Sequence, residues 1–271
     1  MVKKLHIYKV KDKGENHYKA KGVLPDLPLK LMVIGKSHLS GKTNFISNIL
    51  LNNDFFRGDF LGEDIYIVSP SIGTDEKISL IASELQIPQS NLMKTYDEEK
   101  LEVLYEILEE DYKESVKNKK KVSQKLIYFD DLGFTGDLKR VRDGGIINKI
   151  VMNGRHICLS SIFALQSQKQ ALKSVRENVN CLVVFDMNNK QIEELEEEHN
   201  YLPNGKEVNS KQAFKNLFQQ TAGEKPHSFL VINYTNLKKD RYMNSNFQPI
   251  CVCKGKKKCD NVILEKNIYE K

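Results

Sequence analysis

The sequence predicts an α/β fold, a mostly parallel central sheet with helices on both faces. Three observations predict it. Short apolar runs such as "LKLMVIG" and "LIYFDD" have the composition of strands buried in a parallel sheet. Segments with apolar residues at i, i+3 and i+4 stand between those runs, as strands joined by helical crossovers require. The first apolar run also leads through a glycine-containing loop directly into an amphipathic segment.

Taken in order, residues up to Pro28 are polar and lysine-rich and form a basic N-terminal arm or edge element. Leu29 to Gly35 is the first strand. "TNFISNILL" follows as a helix with Phe45, Ile46, Ile49 and Leu50 on one face. Asp64 to Pro70 is a second strand, ended by Ser-Pro. "DEKISLIASELQ" and "DEEKLEVLYEILEEDYKESV" are helices, the latter running into the solvated loop "KNKKK". Lys125 to Phe134 is a third strand with its exit turn. "DLKRVRDGGIINKIVMNGRH" is helical in its C-terminal half, with Gly144-Gly145 interrupting it. Ile157 to Gln166 and Cys181 to Met187 are the fourth and fifth strands, "NKQIEELEEEHN" and "SKQAFKNLFQQTA" two more helices, and Ser228 to Tyr234 the last strand. In the acidic run "IEELEEEH", Ile192 and Leu195 turn inward and the carboxylates outward. From about Asn236 the pattern dissolves, so the core domain is expected over 29–235 and a lysine-rich tail over 236–271.

Composition narrows the function classes. A chain of 271 residues with 40% hydrophobic and 29% charged content can bury a sizeable core. No apolar run approaches the ~20 residues that span a bilayer, and the basic N-terminus has no apolar stretch of the secretory kind. Five scattered cysteines fit a reducing compartment rather than a disulfide framework. The net charge of +6 permits contact with nucleic acid without establishing it.

The stretch "GKSHLSGKTN" carries the first chemistry. A phosphate loop works by pointing consecutive backbone N–H groups inward at a helix N-terminus, where they cradle phosphate oxygens. Here Lys36, Ser37, His38, Leu39, Ser40, Gly41, Lys42, Thr43 and Asn44 form such a loop between strand and helix. Lys42 would reach the phosphate oxygens of ATP and the Thr43 hydroxyl would ligate Mg²⁺. The pattern G-x-x-x-x-G-K-[ST] is out of register: it wants glycine at 36, where this chain has Lys36, and Gly35 lies one residue early.

"LIYFDD" places Asp130-Asp131 at the carboxyl end of an apolar strand, the Walker B arrangement. Asp130 would hold Mg²⁺ through water, and Asp131 would orient or deprotonate the attacking water. Gln166 closes the fourth strand, a position that suits a γ-phosphate sensor and equally an ordinary strand-end glutamine. Arg155 and Arg176 flank that strand; each is either a surface arginine or one offered to a neighbouring subunit's γ-phosphate.

"VIGKSHLSGKTNFI", "LIYFDDLG" and "NGRHICLSSIFALQSQKQALKSVREN" together resemble the viral branch of the FtsK–HerA ATPases, the genome-packaging ATPases of poxviruses, giant viruses and virophages. The resemblance spans roughly Leu29 to Met187, and its most specific part is "GRH", an apolar strand ending in Gln166, then "LKSVREN". It implies a RecA-like P-loop NTPase core, with Lys42 and Thr43 on nucleotide and Mg²⁺, Asp130 and Asp131 as the Walker B pair, and Gln166 as sensor. It makes Arg155 the leading trans-acting arginine and Arg176 the second. The implied activity is ATP-driven translocation of double-stranded DNA into a preformed capsid by a homo-oligomeric ring. Contact would be to the DNA backbone and to capsid vertex proteins, in the cytoplasm or virus factory of the infected cell. The chain departs from the family at Lys36, His38 and Leu39, and has Asp131 where many cellular relatives have glutamate.

In the tail, Cys251, Cys253 and Cys259 lack a nearby fourth ligand for zinc. Lys254, Lys256, Lys257 and Lys258, with Lys238, Lys239 and Arg241 upstream, are either solvated or placed for DNA phosphates or an acidic capsid surface. Two other functions fit the motifs: a nucleoside or nucleotide kinase, and a nucleotide-gated capsid scaffold that hydrolyses poorly. The Asp130-Asp131 pair and Gln166 disfavour the first, and the irregular loop motivates the second.

Overall fold

The computed structural model describes residues 18–36, 40–132, 145–202 and 209–250. Strands β1 (Lys19–Lys21) and β2 (Leu24–Leu27) form an antiparallel hairpin. Then follow β3 (Lys30–Ile34), α1 (Lys42–Leu51), β4 (Phe60–Val68), α2 (Glu76–Glu84), β5 (Leu92–Met93), α3 (Glu98–Lys117) and β6 (Gln124–Asp130). The second half holds α4 (Ile146–Asn153), β7 (Leu159–Leu165), α5 (Lys173–Asn178), β8 (Cys181–Phe185), α6 (Asn189–His199), α7 (Ser210–Thr221), β9 (Phe229–Asn233) and β10 (Tyr242–Met243).

The main sheet runs β10-β9-β8-β3-β7-β6-β4-β5. The six strands from β8 to β5 are mutually parallel, whereas β9 is antiparallel to β8 and β10 to β9. Alternation along the strands divides the core in two. Met32, Ile34, Phe129 and Phe163 face one cluster with residues of α3, α4, α6 and α7. Leu31, Val33, Tyr128 and Val183 face the other, with residues of α1 and α2 and the β1–β2 hairpin. Helices therefore cover both faces, as the sequence predicts.

Local chemistry explains the helices nearest the site. In α1, Phe45, Ile46, Ile49 and Leu50 are at most 7% exposed, each contributing on the order of 1.5–3 kcal/mol by burial. The Asp75 carboxylate caps α2 by accepting from the Lys77 and Ile78 amides. Asp97 caps α3 in the same way through the Lys100 amide. In α6, Ile192 and Leu195 turn inward, as expected, and Glu196 is buried beside them, accepting from Asn200.

The structure differs from the expected boundaries at both ends. Residues 19–27 are a hairpin whose Leu24 and Leu27 are buried, so the end of the basic arm belongs to the core. The sequence-based limit at residue 235 falls inside the main sheet. Beyond it, β10 pairs with β9, and Tyr242, Met243, Phe247 and Ile250 are buried. Two residues give a strand no detectable period, which is why β10 and the equally short β5 escape a sequence reading. Among the described residues, no helix is long and apolar enough to cross a membrane.

Candidate functional site

The strand register gathers the predicted residues at one edge of the sheet. Ile34 pairs with Leu165, Asp130 with Ala164, and Val68 with Phe129. Gly35, Gln166, Asp131 and Ser69 therefore leave the carboxyl ends of β3, β7, β6 and β4 at nearly one level. In a parallel sheet that edge is where ligands bind. A cleft of about 340 Å³ opens there, lined by Lys36, Ser40, Gly41, Lys42 and Thr43 from the loop, by Asp130 and Asp131, and by Ser71, Asp75 and Lys77.

Gly41 begins α1 at φ +90°, a conformation that favours glycine. Lys42, 8% exposed, donates from Nζ to the Gly35 carbonyl at 2.7 Å and to the Lys36 carbonyl at 3.3 Å. Burial lowers its pKa, while Asp131 and Asp130 pull the other way. Gly35 answers the register problem. A Cβ there would lie 2.6 Å from Ser40 Cβ and 3.0 Å from Phe185 Cβ. The close approach that needs a glycine occurs at 35, and Lys36, which lines the cleft, is exposed. The Ser40 hydroxyl then closes the loop by donating to the Lys36 carbonyl at 2.7 Å. Ser37, His38 and Leu39 lie outside the described residues.

The two carboxylates differ. Asp130 is 5% exposed and accepts from the Tyr128 hydroxyl at 2.9 Å and the Ser69 hydroxyl at 3.0 Å. Burial pushes its pKa up to about 6. Those two hydrogen bonds lower it, and Asp131 and Asp75 raise it. Asp131 sits at φ +52°, turned out of the strand and half-buried. Gln166 Nε2 approaches its Oδ1 at 3.5 Å. The buried Asp130 carboxylate and Thr43 line the same cleft, a donor set that suits a hard cation such as Mg²⁺, which favours a few protein oxygens plus phosphate and water.

Gln166 is held by its own turn. The Gln170 side-chain oxygen accepts from the Gln166 amide at 2.8 Å and the Ser167 amide at 3.1 Å. Gln168 in the same turn reaches Glu198 and lies 3.1 Å from His199 Nε2. His199 Nδ1 is 2.6 Å from the Tyr234 hydroxyl, and burial brings the histidine down to about 4. The turn that carries Gln166 is thus anchored to α6 and, through His199, to the chain just after β9.

The structure does not bring the two arginines to this cleft. Arg155 stands in the turn Gly154–Ile157 before β7, at the opposite end of that strand from Gln166. Seven strand residues separate the ends, a span of roughly 23 Å. Its neighbour there is Lys30, brought down to about 8 by burial first and Arg155 second. Arg176 in α5 is engaged by its own chain, with Nε 3.2 Å from Glu198 Oε2 and Nη1 donating to the Ala171 carbonyl at 2.9 Å.

Sequence reasoning missed Ser69, Tyr128, Asp75 and Lys77. Ser69 had a signal: it ends an apolar strand just as Asp130 does. Of the basic residues grouped with the tail, Lys238 and Lys239 are exposed. Arg241 instead lies over the Tyr201 and Tyr234 rings, 4.5 and 5.4 Å from their centroids. Cys251, Cys253, Cys259 and the lysines among them lie outside the described residues.

No curated protein matches the chain. Among solved structures, it is similar to the genome packaging NTPase B204 of Sulfolobus turreted icosahedral virus 2 in complex with AMPPCP. The identity is 14% over 76% of this chain and 92% of that one, with a TM-score of 0.47. It is also similar to EssC (ATPases 2 and 3) of Geobacillus thermodenitrificans, at 12% identity over 65% and 35% of the two chains and a TM-score of 0.47. The pCW3 conjugation coupling protein TcpA, a monomer form with ATPγS, follows at 14% identity over 74% and 56% and a TM-score of 0.46. The family model described as "Poxvirus A32 protein" matches residues 15–265, nearly the whole chain, and the chain belongs to that family.

Proposed function

We propose that this chain is an ATPase that drives double-stranded DNA into a preformed viral capsid. The observation that carries the hydrolytic part is the convergence of Lys42, Asp130, Asp131 and Gln166 on one edge of the sheet. Lys42 holds the β- and γ-phosphates of ATP together with the loop amides, including those of Thr43 and Asn44. Thr43, directly, and Asp130, through water, would hold Mg²⁺, which would neutralise phosphate charge. Asp131 orients the attacking water and takes its proton. Gln166, 3.5 Å from Asp131, reports the state of the γ-phosphate to the turn anchored by Gln170 and Gln168.

The translocation part is supported by membership of the poxvirus family and by the resemblance of the segment from "NGRH" to "LKSVREN" to the viral packaging ATPases. In a ring, Arg155 is the arginine we assign to the neighbouring subunit's γ-phosphate. Its distance from its own cleft favours it over Arg176, which is committed to Glu198. Exposed lysines such as Lys238 and Lys239 suit DNA backbone or capsid vertex contacts, which need no base reading. We assign the work to a reducing compartment of the infected cell, the cytoplasm or virus factory, which the free thiols of Cys158 and Cys181 fit. The scaffold alternative drew on the irregular loop, and Gly35 removes that motive by supplying the close approach.

ATP-dependent displacement of a third strand from a DNA triplex by the purified chain tests the motor. Displacement is expected with ATP and lost in Lys42→Ala. ATP hydrolysis without displacement, with capsid vertex proteins present, would leave an ATPase that is not a translocase.

A further inference from the structure

A second cleft, of about 410 Å³, adjoins the first. That volume lies within the ~300–1,000 Å³ usual for small-molecule sites. Gly41 and Lys77 line both clefts. The first turn of α1 divides them: Lys42 and Thr43 face the polar cleft, Asn44 and Asn48 the other. The walls of the second cleft are phenylalanines. Phe45 packs against Phe229 at 5.0 Å between ring centroids, and Phe185 against Phe229 at 5.3 Å. Phe55, half-buried, stands edge-on to Phe247 at 5.2 Å.

We propose that this aromatic cleft seats the nucleobase, and that it holds a purine chiefly by ring packing. The proposal rests on the reading that the polar cleft takes the polyphosphate. A nucleotide clamped by the loop at its terminal phosphates must carry its α-phosphate and sugar past Gly41 and Asn44, and that path opens into the second cleft. Aromatic walls suit a flat heterocycle. The polar lining residues Asn44, Asn48, Lys77 and His227 are exposed, and the half-buried Ser245 Oγ already accepts from the Phe229 amide at 3.0 Å, which leaves little buried polar surface to read the base edge.

Phe247, the fifth phenylalanine of the site, reaches it through an unusual backbone. It sits at φ +57°, and its amide donates to the Asn244 carbonyl at 2.9 Å in the turn that follows β10. His227, at φ +66°, stands at the junction of the clefts, with Nδ1 3.4 Å from the Ser40 carbonyl. The segment beyond the last predicted strand therefore builds part of the base site.

Equilibrium binding of ADP and of inorganic tripolyphosphate to the full chain, compared among wild type, Phe55→Ala, Asn48→Trp and Lys42→Ala, tests this. Asn48 is exposed on α1, so tryptophan there fills the cleft without disturbing the core. Both cleft variants are expected to weaken ADP by ~10-fold or more and to leave tripolyphosphate within about 2-fold. Lys42→Ala should weaken both ligands. Unchanged ADP binding in the folded cleft variants, with both ligands lost in Lys42→Ala, would place the base elsewhere. Equal loss of ADP and tripolyphosphate in the cleft variants would also overturn the proposal, as distortion of the loop. Lys42→Ala without effect on either ligand would sink the phosphate reading itself.

Discussion

The Tyr128 hydroxyl donates to Asp130 Oδ1 at 2.9 Å while Ser69 occupies Oδ2 at 3.0 Å. These bonds hold a buried carboxylate in one orientation toward the cleft, but they do not offset burial, which keeps Asp130 near 6. Because its folded pKa lies above the unfolded value, its contribution to stability is fully present below about pH 4 and is lost as pH rises through about 6. At neutral pH the ionised group is a cost to the nucleotide-free chain.

Asp130→Asn is therefore expected to raise thermal stability at pH 7.5 by about 1–2 kcal/mol. For a domain of this size that corresponds to about 2–4 °C in Tm. The gain should vanish near pH 4, and ATP turnover should be lost. Melting curves across pH check this; a lower Tm at pH 7.5 would contradict it.

Gly35→Ala should damage the loop and Lys36→Gly should not. The added methyl meets Ser40 at 2.6 Å, and crowding of this kind typically costs about 1–3 kcal/mol. We expect ADP affinity to fall ~10-fold in the first variant and to stay within about 2-fold in the second. Titration of both variants decides; the reverse order would put the essential glycine position at 36.

Gln166→Ala removes the contact to Asp131 Oδ1 and leaves Lys42 untouched. Turnover should drop by roughly 10–100-fold with ADP affinity unchanged, since the lost interaction belongs to the reacting state. Gln170→Ala should share this phenotype in weaker form, because it frees the backbone of the same turn. Paired measurements of kcat and ADP affinity test both, and parallel losses would mean a binding role.

The two arginines should separate in mixing experiments. Arg155→Ala subunits with an intact cleft should regain activity when mixed with Lys42→Ala subunits, since each partner supplies what the other lacks. Arg176→Ala should not be rescued, and should lower stability by at most ~1 kcal/mol, its pair with Glu198 being partly exposed. Rescue of Arg176→Ala alone would exchange their roles.

Much of this was legible in the chain. The long buried strands and the helices with regular apolar spacing announced themselves, and so did Asp130 and Asp131, which close an apolar run, and Lys42, which opens a helix after a glycine-containing loop. What stayed hidden is relational. Ser69 meets Asp130 only through the register of β4 with β6. Gly35 is revealed by Ser40 folding back on it, and Phe247 joins the base cleft through a two-residue strand without a period of its own. Arg176 looked free in sequence because its partner Glu198 lies 22 residues away, inside an acidic run that reads as solvated surface.

Phosphate release from ATP, with and without double-stranded DNA, beside Lys42→Ala and Asp131→Asn, decides whether the cleft is the engine of a DNA-stimulated ATPase. Release should rise with DNA and fall to background in both variants, with Asp131→Asn still binding ATP. Release at background in the wild type at every DNA concentration, or release unaffected by either substitution, would contradict that role.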